Sequence, residues 1–242
     1  QKNVEAPHDT LPSTLKKEVD EAVAAGLASI PQTTVNKIMD FFKVDYPKSG
    51  NFVDKDKALK FCKTLFPNAV VLKLSAPALH KTEMKGIYLN INNEEKFEEA
   101  WEGLWASIKK FELKGASVLI QEMITKATEV IIGVNYDKTF GNVMIFETGG
   151  IYTEVMKDTS LRILPTKDFS EMIKETKVGR ILNGVRGEAP KAVGELADTM
   201  EKIQRIIFAI PEIKSIDINP ILVIDKRAVV VDFKMILATK KK

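Results

Sequence analysis

The stretch SIDINPILVIDKRAVVVDF, residues 215–233, constrains the fold more than any other, because two strand-like apolar runs around a charged turn read as an antiparallel hairpin. With Asp225 and Lys226 as a two-residue turn, Ile224 faces Arg227, and counting outward sets Asn219 opposite Asp232. Cross-strand partners of this kind have Cβ atoms about 4.5–5.5 Å apart. Side chains alternate, so Asp217, Asn219 and Asp232 share one face with Lys234, while Ile216, Ile218, Val231 and Phe233 line the other. By the same alternation the polar face also carries Ile221, Val223 and Val230, so it is not simply a solvated surface. Grouped carboxylate and amide oxygens suit a hard cation such as Mg²⁺, which keeps water and substrate phosphates in its remaining positions. The wet side of an ordinary antiparallel hairpin is the competing reading, and this segment alone leaves both open.

The 242 residues are 45% hydrophobic and 29% charged, enough for one large domain or two intimately packed subdomains. A net charge of +3, with lysines dispersed apart from a terminal KKK, gives no reason to expect nucleic acid or a membrane as partner. Cys62 is the single cysteine, which excludes an internal disulfide and any multi-cysteine metal site and fits a reducing compartment. No run reaches the ~18 apolar residues of a membrane span, and QKNVEAPHDTLPS lacks the pattern of a signal peptide. The chain opens on Gln1 rather than Met, so a processed or trimmed terminus is expected, and with neither a span nor a signal pattern a cytoplasmic location is the default expectation.

Residues 1–12 read as an irregular arm, followed by helices over 14–28 and 33–42. NAVVLKLSAPALHKTEMKGIYLNI reads as strand, long loop, strand. The spacing then predicts a helix over 94–111, whose stripe of Phe97, Trp101, Leu104, Trp105 and Ile108 is core packing. Strands are expected at ASVLIQEM, TEVIIGVNY and NVMIFET, and helices over 170–182 and 190–208, with Pro190 in the first turn of the latter. A shift from helix-rich to hairpin-rich character near residue 116 suggests two lobes, and the crevice between lobes is where a ligand is expected. The expected division is an N-terminal arm and helix over 1–29, a first lobe over 30–115 and a second over 116–242.

Several side chains could do chemistry. Lys73 interrupts a buried-looking strand, where an ammonium needs a partner such as a phosphate unless the strand is an edge. His8 lies in the arm, so histidine chemistry falls to His80 in SAPALHKTE, whose imidazole could take up a phosphoryl group, with Lys81 and Glu83 at hand to compensate charge and orient the ring. Glu122 and Glu129 end one strand and begin the next, where carboxylates could accept hydrogen bonds from a ribose or a base or simply be solvated. Gly149 and Gly150 permit close backbone approach to a ligand, and Arg162 and Arg186 could each clamp a phosphate or be surface arginines. No P-loop, dinucleotide loop, zinc-protease helix or nucleophile elbow occurs, so a bound nucleotide would be held another way.

Taken in order, VVLKLSAPALHKTEMKGIYLNI, QEMITKATEVIIGV, FETGGIYTEVMKDTSLRILP, NGVRG and SIDINPILV closely resemble the ATP-grasp β subunit of ADP-forming acyl-CoA (acetyl-CoA) synthetases and, more distantly, the β subunit of succinyl-CoA synthetase. The resemblance runs over residues 30–237. It implies an α+β ATP-grasp fold in which two lobes enclose a nucleotide cleft, with ATP or ADP and Mg²⁺ as ligands. Lys73 would contact the phosphates, with Gly86 on the nucleotide side; Gln121, Glu122, Met123 and Ile124 would form the adenine-side hinge, and Glu129 would meet the ribose, with Gly149 and Gly150 beside the nucleotide. Asn219 and Asp232 would carry the metal, with Asp217 close by. His80 matches the histidine that relays a phosphoryl group, with Glu83 at hand to orient the ring and Arg162, also counted as catalytic, neutralising charge. An α subunit, in an α₂β₂ assembly, would bind CoA and form the acyl phosphate. The relay implies a His80 loop that docks alternately at two sites.

Two departures from the family pattern stand out. The segment after the histidine motif is Met84, Lys85, Gly86, Ile87 where members often have V-G-G-V, so Lys85 could supply a charge in place of a backbone contact. KATE stands before Glu129 where members commonly have a glycine. The rival readings are another ATP-grasp ligase, such as a succinate-specific one, and a nucleotide-binding regulatory subunit without phosphotransfer.

Overall fold

The computed structural model describes residues 4–75, 86–150, 158–185 and 189–238. It divides into two compact units, Gln1–Tyr46 with Lys126–Lys242, and Pro47–Thr125. These cut the chain differently from the expected boundaries at 30 and 116. The helices α1 (Ser13–Ala24) and α2 (Gln32–Phe42) bury Val19, Val35, Ile38 and Phe42 in the core of the larger unit, while residues 117–122 form an interior strand of the smaller one.

The smaller unit comprises β1 (Ser49–Phe52), α3 (Lys55–Lys63), β2 (Val70–Ser75), β3 (Ile87–Ile91), α4 (Glu94–Lys110) and β4 (Ser117–Glu122). Its antiparallel sheet has the order β1-β4-β2-β3. The aromatic stripe of α4 is core, as its spacing requires: Phe97 and Leu104 are fully buried, and the Trp101 ring lies 5.6 Å from Phe97 and 5.9 Å from Trp105. They pack with Val70, Leu72, Leu74, Val118 and Ile120 from one face of the sheet. Asn93 caps α4 by accepting the Lys96 N–H, with Glu94 and Glu95 in the first turn and Lys109 and Lys110 in the last, each sign at the dipole end that favours it. Neither β1 nor α3 was expected from the sequence, although Asp54 caps α3 through the Lys57 N–H and Ala58 and Cys62, four apart, are its buried stripe.

In the larger unit, β5 (Thr128–Asp137), β6 (Gly141–Thr148), β7 (Thr159–Ile163), β8 (Ile213–Val223), β9 (Ala228–Val230) and β10 (Phe233–Leu237) form a six-stranded sheet ordered β10-β8-β5-β6-β7, with β9 also paired to β8. Its helices include α5 (Phe169–Lys174), α6 (Lys177–Leu182) and α7 (Val193–Ala209), counted among the described residues. The single helix expected over 170–182 is two, because the Thr176 hydroxyl donates to the Ile173 carbonyl and accepts the Gly179 N–H, ending α5 and capping α6. Pro190 lies outside α7: the Lys191 N–H donates to Leu182 O and the Ala192 N–H to Ile224 O, so the backbone there serves α6 and the hairpin before the helix begins. Among the described residues no helix is long and apolar enough to cross a membrane.

Candidate functional site

The hairpin register follows the count from its turn. Ile224 N–H donates to Arg227 O at 2.9 Å, Ile221 pairs with Val230, and Asn219 N–H donates to Asp232 O at 3.2 Å. Asn219 therefore stands opposite Asp232, and Asp217 opposite Lys234. Asp217 and Asn219 are exposed and Asp232 is half-buried, with Lys234 Nζ 3.5 Å from Asp232 Oδ2. The apolar residues expected on this face are not there. Pairing between β5 and β8 shifts by one residue, because Val130 meets Ile221 while Ile132 meets Ile218, leaving Asn219 and Pro220 to span a single step. Beyond this bulge the alternation reverses, and Ile221, Val223 and Val230 turn into the core. Val231, expected inside, is only half-buried. A bulge that re-aims side chains is a common companion of a functional face.

The sheet extends that face. Asp217 pairs with Gly133, Gly133 with Ile145 and Ile145 with Leu161, so these share a side with Glu129 and Glu147. Gly149 donates its N–H to Glu129 O at 2.9 Å, and a Cβ at 149 would come within 2.9 Å of the Glu129 carbonyl carbon. Gly150 has φ +74°, and a Cβ there would lie 3.1 Å from Glu129 Oε2. The structure thus brings the expected ribose-binding carboxylate and the Gly-Gly pair together; the close approach requires glycine at 149, and the positive φ favours it at 150.

Arg162 does not join them. It ends the row Ile216, Val134, Met144, Arg162 on the core side of the sheet. Its guanidinium is committed to Glu175 at 2.7 Å and to the Ser160 hydroxyl at 3.3 Å, and it holds the Glu175 carboxyl below the usual carboxylate range. Sequence reasoning also missed Asp158, a lone acid in MKDTS. Burial pushes its pKa up, but the N–H groups of Lys177 and Val178 and the Thr148 hydroxyl outweigh this and hold it low.

In the smaller unit Lys73 sits on β2, between β3 and β4, so it is not an edge-strand lysine. Its Nζ donates to Gln121 Oε1 at 2.8 Å, and Gln121 is 9% exposed. These two extend from the sheet face opposite the α4-covered core, on which Ile87 and Leu89 are exposed. After β4 the chain stays tied down: Glu122 N–H donates to Lys48 O, Met123 N–H to Ala69 O, and Met123 Sδ accepts the Asn90 N–H at 3.4 Å. Ile124 follows, half-buried. Leu74 N–H donates to Gly86 O at 2.7 Å, joining the described residues on either side of 76–85. His80 and Glu83, with Lys81, Met84, Lys85 and Arg186, lie outside the described residues.

Among the described residues no three His, Cys, Asp or Glu side chains gather into a metal cage. The oxygen donors of Asn219 and Asp232, adjoining Asp217, nonetheless fit Mg²⁺, which takes few protein ligands and is completed by water and phosphate.

A model of the ATP-grasp domain matches residues 21–237. This chain belongs to the ATP-grasp family. Over 227 residues the ATP-grasp chain is 33% identical to the acetate–CoA ligase [ADP-forming] I subunit beta of Pyrococcus furiosus, covering 91% of this chain and 97% of that protein, which puts it among such β subunits. Two structures of the dinucleotide forming acetyl-coenzyme A synthetase 1 of Ca. Korarchaeum cryptofilum are similar to it. One, with coenzyme A and Mg-AMPPCP, has its phosphohistidine segment pointing towards the nucleotide binding site; it is 28% identical, has a TM-score of 0.77 and is matched over 93% of this chain and 100% of that one. The other, with coenzyme A and acetyl-coenzyme A, has a phosphorylated phosphohistidine segment in the site I orientation; it is 27% identical with a TM-score of 0.78 and the same coverage.

Proposed function

We propose that this chain is the nucleotide-binding β subunit of an ADP-forming acyl-CoA synthetase, which makes ATP from ADP and phosphate as acyl-CoA becomes free acid and CoA. The observation that carries this reading is the Asn219–Asp232 pair on the exposed face of the hairpin, in a chain similar to an acetate–CoA ligase β subunit over 97% of that protein's length. Asn219 and Asp232, adjoined by Asp217, hold Mg²⁺. When bound, the ion neutralises negative charge on the nucleotide phosphates. Lys73, steadied by the Gln121 amide, reaches the phosphates, with Gly86 on the same side. Glu122, Met123 and Ile124 flank the base, Glu129 accepts hydrogen bonds from the ribose hydroxyls, and Gly149 and Gly150 allow the backbone close to the nucleotide. Arg162 is paired with Glu175 on the core side of its sheet.

His80 carries the group. Its ring nitrogen attacks the phosphorus of an acyl phosphate formed on the α subunit, so that an N–P bond forms and the carboxylate leaves. A terminal oxygen of ADP then attacks that phosphorus, the N–P bond breaks and ATP is formed. Glu83 orients the ring. The two orientations of the phosphohistidine segment in the Ca. Korarchaeum cryptofilum enzyme support a segment that swings between sites. The partner is an α subunit in an α₂β₂ assembly, and a reducing cytoplasm suits the lone, buried Cys62.

Incubation of the chain with γ-labelled ATP and Mg²⁺, with and without the α subunit, tests the reading. Acid-labile, alkali-stable label on His80 is expected, and His80→Ala should bind nucleotide normally while losing turnover. Turnover retained by His80→Ala would remove the relay.

A further inference from the structure

The turn of the hairpin holds the place at which the chain leaves the larger unit directly, and the place at which it re-enters through Lys191. The chain passes out of that unit after Tyr46 and returns at Lys126. Just before the exit, the Asp45 carboxylate accepts two hydrogen bonds from Arg227, from Nε at 2.8 Å and Nη2 at 2.9 Å, and the Asp45 carbonyl accepts the Val230 N–H at 2.9 Å. At the return, Lys126 has φ +56° and its carbonyl accepts from Lys191 Nζ at 3.4 Å, while the same ammonium lies 3.0 Å from Asp225 Oδ1. Asp225 and Arg227 flank Lys226 in the turn joining β8 to β9. Two crossings more than seventy residues apart in sequence are therefore linked to one turn, the first through Arg227 and the second through Lys191 on Asp225; β8 before that turn carries Asn219, and Asp232 follows β9.

We propose that Arg227, and Lys191 with Asp225, are positioning residues for the Mg·nucleotide: they tether both crossings to the hairpin, so that the freedom of the crossings and the setting of the metal pair change together. This rests on the nucleotide-binding reading above. A bidentate guanidinium–carboxylate pair restrains orientation as well as distance, which a lone ammonium does not. The pair is about one-third exposed at Arg227 and two-fifths at Asp45, so its contribution to overall stability is small. Its effect falls on binding instead. Asp45 O accepts the Val230 N–H, and Val230 pairs with Ile221 two residues from Asn219, so loosening Asp45 leaves the hairpin to be ordered by the bound ligand, at the cost of affinity.

The test compares wild type with Arg227→Gln, Lys191→Met and the swapped pair Asp45→Arg/Arg227→Asp. The dissociation constant for Mg·ADP, amide hydrogen exchange over residues 43–47 and 125–128 and at Val230, and the melting temperature are measured for each. Arg227→Gln is expected to weaken Mg·ADP binding about fivefold and to speed exchange at residues 43–47 and at Val230, with little change in melting temperature. Lys191→Met should speed exchange at 125–128, and the swap should restore affinity towards wild type. Wild-type affinity in Arg227→Gln and Lys191→Met would overturn the proposal, as would losses that follow the melting temperature and are not recovered by the swap. Failure of the wild type to bind Mg·ADP would bring down the nucleotide reading itself, and this inference with it.

Discussion

At Gly149 the backbone meets Glu129 so closely that any side chain must displace it: a Cβ would stand 3.0 Å from the Glu129 Cβ and carbonyl oxygen. Gly149→Ala is therefore expected to weaken nucleotide binding about tenfold or more by moving the Glu129 carboxylate, with a smaller loss of stability, and titration calorimetry beside thermal melting separates the two. A second residue-scale prediction concerns the N-terminal arm. Arg205 makes a bidentate contact with Asp9, and that hydrogen bonding holds the Asp9 carboxyl below its usual range. Because the folded pKa is lowered, this stabilisation is complete above the unfolded value near ~3.9 and is lost as pH falls through the folded value. With the pair partly exposed it contributes about 0.5–1 kcal/mol. Acid titration of stability should lose this component in Asp9→Asn, and a denaturation series at pH 2–5 would reveal it. The residues whose need for a partner was legible are those whose chemistry conflicts with their setting, such as Lys73 in an apolar strand, which donates to Gln121. Asp158 and Glu175 were not legible, because an acid bonded to backbone N–H groups or to an arginine far along the chain looks like any other acid in the sequence.

At the scale of the element, the hairpin of β8 with β9 and β10 divides what counting can reach from what it cannot. Turn and register follow from two residues, and they set Asn219 against Asp232. Asn219→Ala or Asp232→Ala should weaken Mg·nucleotide binding by about one to two orders of magnitude while leaving metal-free nucleotide binding little changed, as calorimetry with and without Mg²⁺ would show. Equal losses in both conditions would remove the metal role. The reversal of alternation past Asn219 was not countable, because it arises from the step between β5 and β8, whose pairing joins residues some ninety positions apart. Helix boundaries show the same division. The stripe of α4 was plain from its spacing, whereas the break at Thr176 depended on one hydroxyl bonding two backbone groups, and the late start of α7 on carbonyls supplied by α6 and the hairpin.

At the scale of the molecule, the described residues form two hydrophobic cores, one per unit. Leu104→Ala removes a fully buried side chain from the smaller core and should cost about 2–5 kcal/mol there. Hydrogen exchange is expected to report that loss in β2 and β4 before it reaches the strands of the larger unit, and a uniform loss would mean the two cores melt together. Sequence by itself determined the local pattern: the hairpin with its turn and register, the aromatic stripe of α4, the strand that carries Lys73, and a string of motifs specific enough to imply the family. Only the tertiary structure decided which segments share a core. It put α1 and α2 with the larger unit and residues 117–122 with the smaller, turned Ile221 and Val223 inward, and bound Arg162 to Glu175. The physical reason is one of range. Turns and periodicity are set by neighbours within a few residues, whereas burial, bulges and ion pairs are settled by residues that meet only after the chain has folded.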